Sequence, residues 1–115
     1  MQTYPMAIIT EPGKIGFEDH PMNALQPDEV RIKVKYAAIC GSDLHLFKGL
    51  HPSVSLPSAV GHELSGEIVE LGSAVANLQI GDRVTVEPVI ACGKCHFCLR
   101  GQYHLCQDVS FHYRR

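Results

Sequence analysis

The sequence lacks any long apolar run. Nowhere do about eighteen or more apolar residues follow one another, which excludes a transmembrane helix. Residues 1–12 also lack the basic start and the apolar stretch of a secretory signal peptide. We therefore expect a soluble, unexported chain that works in the cytoplasm and has no membrane partner.

An excess of charge of either sign is also missing. The chain carries 10 basic and 12 acidic side chains, and its formal net charge is −2. These charges are spread along the sequence, whereas proteins that bind nucleic acid or a membrane surface usually present a basic block or face. The sequence therefore predicts no nucleic-acid partner.

A dinucleotide-binding fingerprint is absent as well. The chain has 10 glycines, and no two of them are two residues apart, so the G-x-G-x-x-G pattern does not occur. No strand–helix–strand alternation surrounds any of them. The sequence therefore predicts that no Rossmann domain is present in these 115 residues.

What the chain does contain is mainly short β-strands. Residues 6–9 and 15–18 flank a Pro12-Gly13 turn signal and predict an opening hairpin. Between residues 28 and 38, apolar and basic residues alternate, which is typical of a half-buried strand. The apolar positions in this alternation are Val30, Ile32, Val34 and Tyr36.

Further strand signals follow, and helix is scarce. Residues 66–71 and 83–90 are rich in β-forming residues and are separated by glycine turns. One short helix through Phe47 is predicted, with Ser42 or Asp43 as its N-cap. We expect a single, mainly β domain, a small antiparallel barrel or sandwich.

Four of the five cysteines lie close together in one loop and predict a zinc site. Zinc binds four thiolates in a tetrahedron, and two thiols in a C-x2-C turn can reach one ion. A site with four protein ligands has no open position, so this zinc would hold residues 92–106 in shape as a separate lobe. The spacing is C-x2-C-x2-C-x7-C, formed by Cys92, Cys95, Cys98 and Cys106.

Two other interpretations of these cysteines stay open. An iron–sulfur cluster also favours C-x2-C-x2-C, but bacterial ferredoxins continue with x3-C-P, and here the gap is seven residues and Gln107 follows. A disulfide framework would suit a secreted protein, and five thiols cannot all pair. His96 and His104 lie inside the loop, where four cysteines already complete the set of ligands, so we expect both to be solvated.

A second, chemical metal site is predicted further upstream. Cys40, His62 and Glu63 supply one thiolate, one imidazole and one carboxylate, and three protein ligands would leave a fourth position on zinc for water or substrate. The spacing alone is weak evidence, because a buried cysteine and a His-Glu pair also occur in β domains that bind no metal. The chain is thus predicted to hold two zinc ions.

Neighbouring polar residues add to this second site. Ser42 and His45 follow Cys40 closely, and we expect them to carry a proton away from a bound substrate. Asp43 is expected to accept a hydrogen bond from the far nitrogen of His62 and so fix the ring. These three residues also have alternative roles that need no metal: Ser42 or Asp43 caps a helix, and His45 lies on the surface.

These residues are similar to those of a known family, the zinc-dependent medium-chain alcohol and polyol dehydrogenases. The likeness covers nearly the whole chain, and the order and spacing of its motifs match. The matching motifs are Gly61-His62-Glu63-x2-Gly66-x5-Gly72-x2-Val75, Cys40-Gly41-Ser42-Asp43-Leu44-His45, Gly81-Asp82-Arg83-Val84 and the four-cysteine lobe.

The resemblance implies a fold and a set of roles. The fold is a GroES-like, partly open β-barrel with a zinc-binding lobe. Cys40, His62 and Glu63 would be ligands of the catalytic zinc, and Ser42 and His45 the proton relay. Glu63 is the least certain ligand, because it ligates zinc in the sorbitol, xylitol and threonine dehydrogenase branch but sits just behind the metal in the ethanol branch. The structural zinc would be held by Cys92, Cys95, Cys98 and Cys106.

The resemblance also implies an activity that needs more than these residues. Family members oxidise a small alcohol or polyol with NAD or NADP, which a Rossmann domain further along the polypeptide holds. The sequence stops at Arg115, so we expect an incomplete GroES-like domain that binds zinc but does not turn over alone. A surface left uncovered in this way predicts a homo-oligomer. The alternative is a stand-alone, zinc-stabilised β module that binds another protein without catalysis.

Overall fold

The computed structural model describes residues 1–111 and contains mainly antiparallel β-structure with one α-helix. No helix in this range has the length and apolar character needed to cross a membrane. The elements in chain order are β1 (Thr3–Glu11), β2 (Lys14–Pro21), β3 (Val30–Ala38), α1 (Gly41–Phe47), β4 (Ser58–Ala59), β5 (Glu63–Leu71), β6 (Arg83–Thr85), β7 (Val89–Ile90), two 3₁₀ turns (Cys98–Arg100 and Tyr103–Leu105) and β8 (Ser110–Phe111).

The strands of residues 1–111 form three antiparallel sheets. The first has the order β2-β1-β4 and the second the order β3-β5-β6, while β7 and β8 form a small pair beside the cysteine loop. The mainly β fold that the sequence predicts is therefore confirmed. The opening hairpin is confirmed too, although its strands extend beyond residues 6–9 and 15–18 at both ends.

Three local predictions need correction. The helix begins at Gly41 with Cys40 as its N-cap residue, a position predicted for Ser42 or Asp43; Asp43 is instead the third residue of the helix, and its side chain bonds back to the Cys40 N–H. The predicted strand over residues 83–90 is two short strands, because Pro88 has no backbone N–H to continue a ladder. In β3, only the first half of the strand is partly buried, since Val34 and Tyr36 are 52% and 78% exposed on an edge that no described strand covers.

The buried core is small. Ile8 and Ile9 from β1, Leu46 from α1 and Ile68 from β5 are its buried aliphatic residues. The tip of the opening hairpin is tied to the end of α1, because the Gly13 N–H donates a hydrogen bond to the Phe47 carbonyl at 2.8 Å. The hairpin thereby fixes the helix that follows Cys40.

Two glycines of the sequence motif are required by close packing. A Cβ atom on Gly66 would meet the Lys33 carbonyl oxygen and lie 2.7 Å from the Ile32 Cγ2 atom. A Cβ atom on Gly72 would meet the carbonyl oxygens of Gln26 and Pro27. Both glycines let a neighbouring backbone approach β5 directly, and their spacing in the motif reflects the packing of this strand.

Candidate metal centres

Cys40 lies at the junction between β3 and α1. Its backbone is extended, with φ −90° and ψ 158°, and the helix starts at the next residue. The Asp43 side chain reaches back, and its Oδ2 atom accepts a hydrogen bond from the Cys40 N–H at 2.9 Å. This contact satisfies an N–H group at the helix start and holds the backbone of Cys40 in place.

Strand pairing brings His62 and Glu63 to Cys40. In the β3–β5 ladder, Ala38, the last residue of β3, lies opposite Glu63, the first residue of β5, so Cys40, two residues beyond Ala38, lies close to the start of β5. Gly61, with φ 103°, makes the turn that leads into this strand. As a result, one ligand atom from each of Cys40, His62 and Glu63 lies within 4.8 Å of the other two.

Asp43 also contacts the histidine of this group. Its Oδ1 atom lies 3.4 Å from His62 Nδ1, and each of the two side chains is only 12% exposed. One carboxylate therefore holds the Cys40 backbone with one oxygen and faces the His62 ring with the other. A carboxylate on the far nitrogen fixes the orientation of a metal-binding imidazole.

The three residues differ in exposure. Cys40 and His62 are partly buried, and Glu63 is exposed. The two predicted relay residues lie on α1: Ser42 is partly buried in its first turn, and His45 is exposed near its end. A soft thiolate, an imidazole and a carboxylate arranged in this way form a donor set that suits zinc.

The second cluster consists of the four cysteines of the loop. One Sγ atom from each lies within 4.8 Å of all the others, and Cys92 Sγ is 3.9 Å from Cys98 Sγ. Two thiolates bound to one zinc at tetrahedral angles are about 3.8 Å apart, because each Zn–S bond is about 2.3 Å long. The spacing therefore fits one ion, whereas the sulfur ligands of a multi-iron cluster must be spread further apart.

All five cysteines of the chain are free thiols in the structure, which argues against the disulfide interpretation.

Backbone N–H groups surround the sulfur atoms of this cluster. Such donors stabilise thiolates, so the loop is already organised for a cation. Sequence reasoning missed these donors, because they depend on the local turns and not on side-chain identity. The hydrogen bonds are Lys94 N to Cys92 Sγ (3.4 Å), Cys95 N to Cys92 Sγ (3.3 Å), Cys98 N to Cys95 Sγ (3.5 Å), Cys92 N to Cys106 Sγ (3.3 Å) and Asp108 N to Cys106 Sγ (3.3 Å).

The four thiols do not ionise alike. The backbone hydrogen bond from Cys98 lowers the pKa of Cys95 to about 6, and the one from Lys94 lowers the pKa of Cys92. Burial raises the pKa of Cys98 to about 11. At neutral pH the metal-free loop therefore presents some thiolates, and a cation that binds all four sulfurs must displace a proton from Cys98.

Other side chains of the loop stay outside the cluster. His96 and His104 are exposed, as expected, and each packs edge-on against its aromatic neighbour, at ring-centroid distances of 5.3 Å from Phe97 and 6.5 Å from Tyr103. The Glu87 carboxylate, in the segment after β6, lies beside Tyr103 of the loop and raises the pKa of the tyrosine. Nothing in the sequence pattern around Glu87 indicated this contact.

Comparison with known proteins places this geometry in a family. The model of the alcohol dehydrogenase GroES-like domain matches residues 26–113. A sorbitol dehydrogenase from Halalkalibacterium halodurans is 46% identical over 109 residues, which cover 86% of this chain and 32% of that protein. An L-threonine 3-dehydrogenase from Rhizobium etli is 40% identical over 95% of this chain and 33% of its own length.

A solved structure gives the same result. The structure of an alcohol dehydrogenase from Escherichia coli CFT073, complexed with NADH, superposes with a TM-score of 0.84 at 33% identity, over 96% of this chain and 32% of that one. The chain thus spans about a third of the length of the relatives it matches. Its strands, its motifs and these matches together show that the chain belongs to the zinc-dependent medium-chain alcohol and polyol dehydrogenases, within their GroES-like domain.

Proposed function

We propose that Cys40, His62 and Glu63 bind the zinc ion of an alcohol-oxidising centre. The observation that carries this proposal is that three different zinc donors converge within 4.8 Å, although Cys40 and His62 are far apart in sequence. Asp43 supports this proposal, because one of its carboxylate oxygens faces the His62 ring and the other accepts a hydrogen bond from the Cys40 N–H. When bound, zinc would act as a Lewis acid toward an alcohol hydroxyl and lower its pKa.

The protein residues around this centre have separate tasks. Asp43 orients His62, so that the ring nitrogen turned away from the carboxylate, Nε2, is the ligand. Ser42, partly buried in the first turn of α1, accepts the proton of the substrate hydroxyl. His45, exposed near the end of the same helix, passes this proton to solvent.

We propose a structural zinc for the four-cysteine lobe of residues 92–106. Four sulfurs fill a tetrahedral shell, so no position remains for a substrate. Only Cys106 of this lobe is buried, and few apolar side chains support the loop. Metal binding would therefore supply much of the free energy that orders it.

The activity of the whole protein follows from the family. We propose that it oxidises a secondary alcohol of the polyol class to a ketone and passes the hydride to NAD or NADP; sorbitol dehydrogenase is among the relatives. All strand pairs within residues 1–111 are antiparallel, so this range contains no parallel strand–helix–strand unit that could hold a dinucleotide. The 115 residues alone are therefore proposed to bind zinc without turnover, and NADH formation from NAD and a panel of polyols by the purified, zinc-loaded chain would contradict this.

Metal analysis tests the two-site proposal. The purified chain is expected to hold two zinc ions, of which Cys40→Ala loses one and Cys95→Ala the other. His104→Ala, an exposed histidine of the same lobe, should keep both and serves as the control. If the chain holds one zinc ion and the Cys40→Ala variant keeps it, the result would favour the stand-alone module over the enzyme-derived site.

A further inference from the structure

The sulfurs of the four-cysteine lobe differ in the backbone N–H groups that surround them. Cys92 Sγ accepts two hydrogen bonds, from Lys94 N at 3.4 Å and from Cys95 N at 3.3 Å. Cys106 Sγ also accepts two, from the N–H groups of Cys92 and Asp108, both at 3.3 Å. Each of these donors stabilises the negative charge that the sulfur carries as a thiolate.

Cys95 is surrounded in a similar way. Its Sγ atom accepts a hydrogen bond from Cys98 N at 3.5 Å. The backbone N–H groups of Gln107 and Phe97 also stabilise its thiolate. Three of the four sulfurs therefore share their charge with two or more N–H donors.

Cys98 is the exception among the four. Within residues 1–111, no backbone N–H donates to its Sγ atom in the geometry of the bonds above, and its sulfur faces Cys92 Sγ at 3.9 Å. The Gly93 backbone N–H stabilises its thiolate, but burial acts against the charge more strongly. As a thiolate, Cys98 therefore keeps more negative charge on sulfur than the other three cysteines do.

This difference decides reactivity when the lobe holds its metal. With zinc bound, all four sulfurs are thiolates, so ionisation no longer determines which of them reacts. Reactivity then depends on the nucleophilicity of each thiolate, which rises with the basicity of its sulfur. N–H donors lower this basicity. The sulfur with the weakest set of donors is thus the strongest nucleophile of the zinc-loaded lobe.

Exposure also favours Cys98 over the buried sulfur of the lobe. Cys106 is buried, whereas Cys98 is partly exposed. Cys98 opens the first 3₁₀ turn, where the next residue, Leu99, is 74% exposed and Arg100 is exposed as well. A small reagent can therefore approach this side of the lobe.

We propose that Cys98 is a modification site of the zinc-loaded lobe for soft electrophiles of the α,β-unsaturated carbonyl class. The Cys98 thiolate forms a C–S bond to the β-carbon, and the electron pair of the carbon–carbon π bond moves to the α-carbon. That carbon takes a proton from water, which leaves as hydroxide, so no oxidant is consumed. The product is an uncharged thioether in place of a thiolate ligand, and the lobe therefore releases its zinc. This inference rests on the structural zinc proposed above.

Limited alkylation with N-ethylmaleimide tests the site. The purified, zinc-loaded chain is treated at neutral pH with less than one equivalent of reagent and digested with trypsin. Cys95 and Cys98 fall in one tryptic peptide, residues 95–100, so fragment-ion mass spectrometry must locate the adduct. We expect Cys98 to carry at least about threefold more adduct than Cys95 or Cys92.

The same chain stripped of zinc is the matched control. Without metal the order should reverse, because ionised sulfurs react first and the N–H donors favour ionisation of Cys95. Zinc should slow alkylation of the lobe as a whole and direct the remaining reaction to Cys98. In the Cys40→Ala variant, a chromophoric chelator reports zinc release from the lobe alone, and this release should keep pace with the adduct at Cys98.

The outcomes separate this inference from the proposed function. A lobe that binds no zinc in the metal analysis would overturn the structural zinc and the modification site together. A zinc-loaded lobe that reacts first at Cys92 or Cys95, or equally at all three cysteines, would overturn the modification site alone. An adduct at Cys98 that leaves zinc bound would also contradict the inference, because the thioether would then remain an adequate ligand.

Discussion

At the scale of single residues, Asp43 joins the two halves of the proposed Cys40–His62–Glu63 metal centre. It is the third residue of α1, and it contacts the backbone of Cys40 and the ring of His62 at once. The sequence predicted the contact with His62, since a carboxylate on the far nitrogen commonly fixes a metal-binding imidazole. It did not predict that Cys40 would itself be the N-cap, because cysteine is an unusual residue there.

Replacing Asp43 should weaken this site selectively. Asp43→Asn keeps an acceptor for the Cys40 N–H but loses the negative charge beside His62, so zinc affinity at this site should fall about tenfold; Asp43→Ala loses both and should cost up to about a hundredfold. Titration against a chromophoric chelator measures the change. In the Asp43 variants the four-cysteine site should keep its zinc affinity, and in the Asp28→Ala control both sites should keep theirs. Equal losses of affinity at both sites in an Asp43 variant would show that the fold had changed instead.

The cysteines of the lobe should differ in reactivity when zinc is removed. The pKa of Cys95, lowered to about 6 by the hydrogen bond from Cys98, makes it mainly thiolate at pH 7, whereas the raised pKa of Cys98, about 11, keeps that sulfur protonated. Iodoacetamide should therefore modify Cys95 about tenfold or more faster than Cys98 at low conversion. Because the thiolate is lost as pH falls through the lowered pKa, the rate at Cys95 should drop between pH 7 and pH 5, and zinc should protect both.

At the scale of elements, the pairing of β3 with β5 builds the site. The sequence predicted strands between residues 28 and 38 and over residues 66–71, where the structure has β3 at Val30–Ala38 and β5 at Glu63–Leu71, but the pairing that sets Ala38 opposite Glu63 is long-range. Strand patterns show which residues share a face and do not show which strands are neighbours. The assignment of Cys40, His62 and Glu63 to one site therefore rested on their donor chemistry, which is weak evidence alone, and on the family resemblance that added to it.

The same limit explains the wrong prediction for β3. The alternation of apolar and basic residues predicted that Val34 and Tyr36 lie on a buried face of β3. Burial needs a neighbouring element, however, and within residues 1–111 β3 is an outer strand of its sheet, with both side chains exposed. Alternation identifies the apolar face of a strand whether or not something covers it.

Close packing around β5 should make its glycine indispensable. Gly66→Ala would push a methyl group into the Lys33 carbonyl and the Ile32 side chain, so we expect a loss of about 1–3 kcal/mol in the free energy of unfolding. Gly41→Ala is the matched control, because its Cβ would meet nothing within 4 Å and alanine suits the first turn of a helix. Urea denaturation separates the two, and equal stability of both variants would contradict the packing argument.

At the scale of the whole molecule, the protein has much surface and little core. Its radius of gyration is 15.7 Å, against about 13 Å for a compact domain of this length, and among residues 1–110 five large apolar residues, one of them Cys106, are buried. A small core leaves little net stability. We therefore expect the metal of the four-cysteine lobe to contribute noticeably to the stability of the folded chain.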